Sequence, residues 1–340
     1  MQQIVHTSQY NYYSKLFRDI EYVYKVTSER QGNPNGDLLV PYKVHISLDN
    51  LMELFAQYGY YYNLEYTQTR LPKIDITKFD RKNIIVCFSG GKDSLAAAIH
   101  YKKLGYNVYL YHVTGLNKTY TTEIQSAEVL AEKLGLPLIV EDISYKGNHE
   151  WTEHPLKNVV LATMALNCGL QHNIGYKIAV GNFYTLRDWD CVFGIDVGDS
   201  KYMWVAYEKV ISTIIPKFHI YTPLQNYQTS YNIITKHDPD LLQYVQSCMT
   251  PNRFRNSFRK RTISKYGVDI LPVKCGCCWK CAVEYVWLTD KGFLPLDREY
   301  YKHCIEILKN TLKKETGVSY NVNEVWQHYF FYKMPKWLGG

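Results

Sequence analysis

The stretch VCFSGGKDSLAAAIHYKKLG, Val86 to Gly105, joins an apolar run to a helical pattern through a turn of two glycines, a lysine, an aspartate and two serines. "IIVCF" (84 to 88) suits a strand buried on both faces, and the helix that follows spans about Asp93 to Leu104 and closes at Gly105. Small residues at Ser89, Gly90 and Gly91 let backbone amides approach a ligand closely, and the helix N-terminus adds unpaired donors and its dipole. Such a turn binds anions. Lys92 neutralises phosphate charge, Ser89 and Ser94 donate hydroxyls, and Asp93 either caps the helix or helps to hold a magnesium ion. The turn is not a Walker loop, because Val86 occupies the first glycine position and Asp93 follows the lysine; nor is it a GxGxxG dinucleotide turn. Lys92 and Asp93 are the candidate catalytic residues.

Outward from this turn, strand and helix alternate. "NVYLYHV" (107 to 113) reads as a second strand, Glu123 to Leu134 as a helix that Glu123 caps, and "PLIVEDI" (137 to 143) as a third strand. A helix at 155 to 169 opens on Pro155 and ends on glycine, and strands follow at 177 to 182 and 217 to 224. Strands separated by helix-length segments imply an α/β fold, a doubly wound parallel sheet whose ligands bind beyond the carboxyl ends of the strands. His112, at the end of the second strand, is a candidate near the ligand, although a packed or solvated histidine is the commoner role at such a position.

Residues 1 to 80 break the rhythm. "ERQGNPNGD" (29 to 37) reads as a turn-rich loop and "SLDNLMELFAQYG" (47 to 59) as a capped amphipathic helix, which together suggest an added N-terminal subdomain. The sheet domain then covers 81 to 245, a cysteine region 246 to 290, and a helical extension 291 to 340, with helices at 282 to 288, 298 to 312 and 323 to 332.

Composition sets the class. A chain of 340 residues, 46% hydrophobic, buries a sizeable core, and no apolar run approaches the roughly 20 residues that cross a bilayer. With no leader-like succession after "MQQIVHTSQY", the expected compartment is the cytoplasm and no membrane partner is expected. A formal charge of +7 is compatible with nucleotides or RNA without requiring either. In a reducing compartment the nine cysteines are thiols or metal ligands, and five crowd between Cys248 and Cys281.

"KCGCCWKCAVEY" (274 to 285) places Cys275, Cys278 and Cys281 three apart, the spacing of a thiolate knuckle, with Gly276 permitting the turn. Cys248 is the first choice for a fourth ligand and Cys277 the other, since adjacent Cys277 and Cys278 rarely both face one metal. An iron-sulfur run would continue with a further cysteine before proline, and Ala282 to Leu288 supplies none, so the expectation is a closed structural Zn²⁺ site.

The SGGKDS turn resembles that of the PP-loop ATP pyrophosphatases, of the adenine nucleotide alpha hydrolase-like fold. The resemblance implies that Ser89, Gly90, Gly91, Lys92, Asp93, Ser94 and His112 bind ATP, with Mg²⁺, while the α-phosphate is transferred as AMP. Combined with the CGxCxxC knuckle, the chain is similar to the 7-cyano-7-deazaguanine synthases (QueC) over about residues 84 to 285. Pro155, Lys157 and Asn158 resemble the family's PxRN stretch, Gly181 and Asn182 its GxN, Asp190 and Cys191 its Pro-Asp-Cys, and Pro223 with Leu224 its Pro-Leu. This implies that Lys157, Asn158, Asn182 and Asp190 line a pocket for a 7-carboxy-7-deazaguanine. There the carboxylate is adenylated, converted by ammonia to an amide, and dehydrated with a second ATP to the nitrile. Zinc and a homodimer come with the same resemblance.

The chain departs from that family at Lys157 for arginine, at Trp189 for proline, in the longer gap from Cys248 to Cys275, and in its first 80 residues. The gap contains "NRFRNSFRKRTISK" (252 to 265), read as a solvated basic loop ahead of a partner-binding surface. Three alternatives stay open: a QueC-like ligase of an antiphage system that passes the activated deazapurine to an amine of a partner protein; a PP-loop tRNA-modifying enzyme; and a non-enzymatic nucleotide-binding module. Nucleic acid ranks below a small carboxylate and a protein acceptor as the expected partner.

Overall fold

The computed structural model describes residues 5–7, 35–40, 61–66, 74–114, 122–142, 157–181, 201–212, 215–223, 227–246, 252–268 and 274–330. In chain order the elements begin with strands β1 (Val5–Thr7), β2 (Asn35–Val40) and β3 (Tyr61–Tyr66), followed by β4 (Asn83–Cys87) and helix α1 (Lys92–Lys103). Next come β5 (Asn107–Thr114), α2 (Thr122–Leu134), β6 (Leu138–Asp142), α3 (Lys157–Gln171) and β7 (Ile178–Ala179). The remainder is α4 (Lys201–Ser212), β8 (Ile220–Tyr221), α5 (Tyr227–Thr235), α6 (Asn252–Tyr266), α7 (Trp279–Asp290), α8 (Arg298–Thr316) and α9 (Val322–Phe330).

The strands β1-β6-β5-β4-β7-β8 form one sheet in that spatial order, and every pairing in it is parallel. Helices cover both faces, so the expected doubly wound α/β sheet is present. From β4 the chain winds outward through β5 to β6, then crosses to β7 and β8 on the opposite side of β4. The strand order therefore reverses between β4 and β7, and ligands of open α/β sheets bind in the crevice at such a reversal.

Both faces are apolar. Ile84, Val86, Val108 and Leu110 pack under α1 and α2, and this core continues outward through Tyr231 of α5 to Val286 and Trp287 of α7. Tyr231 and Trp287 stack with ring centroids 4.9 Å apart. The C-terminal helices α7, α8 and α9 thus share the core of the sheet domain through Val286, Tyr300, Leu308 and Trp326. On the opposite face α3 and α4 are tied by a hydrogen bond of 2.9 Å between the buried hydroxyls of Thr163 and Tyr207.

Two sequence expectations change. Residues 35–37, read as the end of a turn-rich loop, begin β2, which pairs in parallel with β3 in a separate two-stranded sheet. The basic segment 252–265, read as a loop, forms helix α6. The helix expected at 47–59 lies outside the described residues. Among the described residues no helix is long and apolar enough to cross a membrane.

Candidate functional site

The turn after β4 lies at the reversal of strand order. Gly91 is the N-cap of α1 and makes no side-chain cap hydrogen bond, so no side chain of the cap residue competes for the first amides of the helix. Asp93, one of the two roles expected of which was capping, lies inside the first turn instead. Gly90 has φ +73°, and a Cβ built on it would stand 3.0 Å from the Ala127 amide nitrogen and the Ser126 Cβ of α2. Only glycine reconciles that conformation with that proximity. The other side of the turn is held by the Gln246 backbone N–H, which donates to the Gly90 carbonyl at 2.8 Å.

The side chains of the turn form one network. Ser94 Oγ donates to the Gly91 carbonyl at 3.0 Å, Ser89 Oγ and Ser94 Oγ lie 3.4 Å apart, and the Gly91 amide donates to Ser89 Oγ at 3.3 Å. Lys92, buried, reaches Asp93 Oδ1 at 2.5 Å, and its ammonium lies 5.5 Å from the centroid of the Tyr231 ring. Asp93 Oδ1 also accepts from the buried hydroxyl of Ser230. Ser230, Tyr231 and Gln246 were not singled out by the sequence, because they belong to segments whose pattern is that of ordinary amphipathic packing. Helix packing of α5 on α1 and the chain return at 246 bring them to the turn.

Gly181, just beyond β7, completes the crevice from the other side of the reversal. A Cβ there would stand 2.5 Å from the Ser94 nitrogen and 2.6 Å from the Asp93 carbonyl carbon, so the chain leaving β7 presses against the first turn of α1. These neighbours are backbone atoms and cannot rotate away. Gly181→Ala is expected to lower stability by about 1–3 kcal/mol and to weaken phosphate binding by displacing that turn. Thermal unfolding and phosphate titration of the variant check this, and an unchanged midpoint with unchanged affinity would contradict it.

His112 is buried on β5, and its Nδ1 lies 2.7 Å from the carbonyl of Phe88, the residue before Ser89. A carbonyl only accepts, so Nδ1 carries the proton and donates it. The ring therefore braces the backbone at the start of the turn. Burial lowers its pKa below the usual 6.5, partly opposed by the Phe88 hydrogen bond. The folded chain then binds fewer protons than the unfolded one, so this contribution to stability is present above about pH 6.5 and is lost as pH falls toward the depressed value. The unfolding temperature is expected to drop as pH falls below about 6.5, and His112→Gln to flatten that drop; an equally steep profile in the variant would contradict it.

Of the other residues proposed for the substrate, Lys157 opens α3 and Asn158, half-buried, follows it. Asn182 and Asp190 lie outside the described residues, as does Cys191. Cys87, at the end of β4, is in surroundings whose desolvation pushes its thiol up to about 12, which leaves no thiolate nucleophile there near neutral pH.

The cysteine region gathers around the start of α7. The sulfurs of Cys275, Cys278 and Cys281 lie within 4.8 Å of one another, with Cys275 and Cys281 3.9 Å apart and Cys278 and Cys281 3.4 Å apart. Tetrahedral zinc with Zn–S bonds of about 2.3 Å needs sulfurs about 3.8 Å apart, so the three fit that ion. Cys277 Sγ lies 3.6 Å from Cys275 Sγ, and Cys248 is outside the described residues. Gly276 takes φ +74° and its carbonyl accepts from Tyr300 at 2.6 Å, which fixes the turn of the knuckle. Beside it, Lys274 and Glu284 form a wholly buried ion pair of 2.9 Å.

No protein-family model matches the chain, and no curated protein matches it. Among solved structures it is similar to a predicted subunit of a tRNA methyltransferase from Methanocaldococcus jannaschii, at 21% identity over 45% of this chain and 73% of that one, with a TM-score of 0.30. It is also similar to NMN synthetase from Francisella tularensis, at 11% identity over 71% of this chain and 89% of that one, with a TM-score of 0.31. A third is an NH3-dependent NAD synthetase from Campylobacter jejuni, at 10% identity over 82% of this chain and 100% of that one, with a TM-score of 0.31. At these scores the likeness assigns neither a fold nor a substrate to this chain.

Proposed function

We propose that the chain is an ATP-dependent enzyme that adenylates a carboxylate of the 7-carboxy-7-deazaguanine class and completes the reaction with a nitrogen nucleophile. The observation that carries the reading is the SGGKDS turn at the reversal of strand order, with Gly91 leaving the first turn of α1 uncapped and Gly181 pressed against that turn. Amides of the turn and the Lys92 ammonium would hold the pyrophosphate part of ATP in a site already shaped for anions. Asp93 would hold magnesium with the phosphates, and the ion would neutralise charge building on the departing pyrophosphate.

The chemistry balances in three steps. A carboxylate oxygen attacks the α-phosphorus, the bond to the β-phosphate oxygen breaks, and pyrophosphate leaves. Ammonia then adds to the acyl carbon and loses a proton as AMP departs, giving the amide. A second adenylation, on the amide oxygen, lets AMP leave again as two N–H protons are lost and the nitrile forms. Adenylation supplies the leaving group that a carboxylate lacks. The thiol cluster supports the synthase reading, because its separations fit structural zinc and it lies on the same chain as the phosphate turn.

A second reading keeps the adenylate and changes the acceptor to an amine of a partner protein. It is favoured by α6, a helix in the stretch where this chain is longer than the synthases, with Lys260, Arg261 and Lys265 exposed and no acidic residue. A tRNA-modifying enzyme that used Cys87 as a thiolate nucleophile is opposed by the raised thiol of that residue. The test is release of pyrophosphate and AMP from Mg·ATP with 7-carboxy-7-deazaguanine, with and without ammonium, followed by mass spectrometry. Nitrile formation supports the synthase. Release that stalls at the adenylate or amide supports transfer to a partner, and no release with this substrate overturns the substrate assignment.

A further inference from the structure

Helix α6 touches the thiol cluster and is linked to the phosphate turn through Gln246. Its interior face is built from Arg255, Phe258 and Thr262, spaced three and four apart so that they share one side of the helix. At one end of that face the Thr262 hydroxyl lies 3.4 Å from the Cys275 carbonyl and 3.1 Å from the Phe258 carbonyl, so its one proton is shared between the two, and Phe258 packs against Cys275 and Cys281. At the other end Arg255, buried at 5% exposure, donates from Nη1 to Gln246 Oε1 at 3.2 Å. Gln246 in turn holds the Gly90 carbonyl through its backbone N–H, at 2.8 Å.

The contacts are directional. Arginine only donates, so its bond fixes which end of the Gln246 carboxamide is oxygen and leaves Nε2 as the donor. That Nε2 is buried with no partner among the described residues, beside the phosphate turn. On the other side of Gly90 α2 lies close, since a Cβ built there would stand 3.0 Å from Ala127 N and Ser126 Cβ. A shift of α6 therefore reaches the turn as a change in its shape.

We propose that α6 couples the thiol cluster to the phosphate turn, with Arg255 as a positioning residue acting through Gln246, so that zinc in the cluster tightens the hold of the turn on nucleotide phosphates. The inference rests on reading the SGGKDS turn as a nucleotide site. Binding of zinc ionises the thiols and locks Cys275 and Cys281 in place, which fixes the carbonyl and the side chains that Thr262 and Phe258 touch. Coupling of this kind is reciprocal, so nucleotide raises zinc affinity by the same factor.

The experiment titrates Mg·α,β-methylene-ATP into the full chain by calorimetry, in the zinc-loaded form and after removal of zinc by a chelator that is then dialysed away and replaced by magnesium. About tenfold tighter binding by the loaded form is expected, together with about tenfold tighter zinc binding when the nucleotide is present. Arg255→Ala is expected to retain its zinc, bind the nucleotide about tenfold more weakly, and lose the dependence on zinc; Arg255→Lys restores part of the affinity. Thr262→Val cuts the link at its other end with little change in volume and is expected to abolish the dependence as well, which keeps the test decisive if Arg255→Ala does not fold. Nucleotide binding that ignores zinc in the wild type overturns the coupling alone, as does a chain that takes up no zinc, or a tenfold ratio that persists in either alanine or valine variant. No nucleotide binding by the loaded protein overturns the reading of the turn and the coupling with it.

Discussion

Asp93→Ala is expected to reduce pyrophosphate release about 10²–10³-fold while leaving the zinc content unchanged. Its carboxylate is the meeting point of the turn: Lys92 reaches it at 2.5 Å and Ser230 donates to it from α5. Removing it takes away the charge that would hold magnesium against the phosphates, and it also takes from Lys92 the carboxylate that positions its ammonium. Because Ser230 is fully buried, alanine also strands its hydroxyl, at a cost of about 1–3 kcal/mol. Asp93→Asn separates the two effects. The amide oxygen still accepts from Ser230, so the unfolding temperature is expected to stay near that of the wild type while pyrophosphate release remains low. Steady-state pyrophosphate release, bound zinc and thermal unfolding are measured together on both variants. Full activity in Asp93→Asn would remove the charge from the mechanism, and parallel loss of activity and zinc would mean that the fold, not the site, had been damaged.

The phosphate turn was legible because its chemistry is local: strand, glycines, lysine and helix are contiguous, and the expected strand at 84–88 and helix from 93 match β4 and α1 to within a residue. The knuckle was legible for the same reason, since Cys275, Cys278 and Cys281 meet within one turn and the first turn of α7. Helix α6 was not. A helix is recognised by an apolar stripe, and here the inward stripe is buried Arg255, half-buried Phe258 and buried Thr262, two of them polar, inside a segment crowded with exposed cations. The burial of Arg255 depends on a glutamine from a different segment, and no periodicity in the chain carries that information. Ser230 and Gly181 were hidden in a related way. The first reaches Asp93 across 137 residues of sequence, and the second reads as a strand end until the reversal of strand order sets it against α1.

Glu284→Ala is expected to destabilise the fold by about 3–5 kcal/mol, the largest effect on stability of any substitution argued here. Lys274, just before the thiol knuckle, and Glu284 of α7 are paired at 2.9 Å with side-chain exposures of 0% and 1%. Their mutual attraction offsets a desolvation cost that neither ion meets alone, so deleting one partner leaves the other charge buried without this carboxylate or ammonium. The double replacement Lys274→Met with Glu284→Leu removes both charges and keeps the volume, and it is expected to cost less than either single change. Denaturant unfolding of the two single variants and the double variant measures the difference. Bound zinc is read in parallel, because Lys274 immediately precedes Cys275 and an ammonium freed from its partner would disturb that ligand. If the double variant were as unstable as the sum of the singles, the pair would be two independent packing contacts and not an ion pair that ties the start of the knuckle to α7.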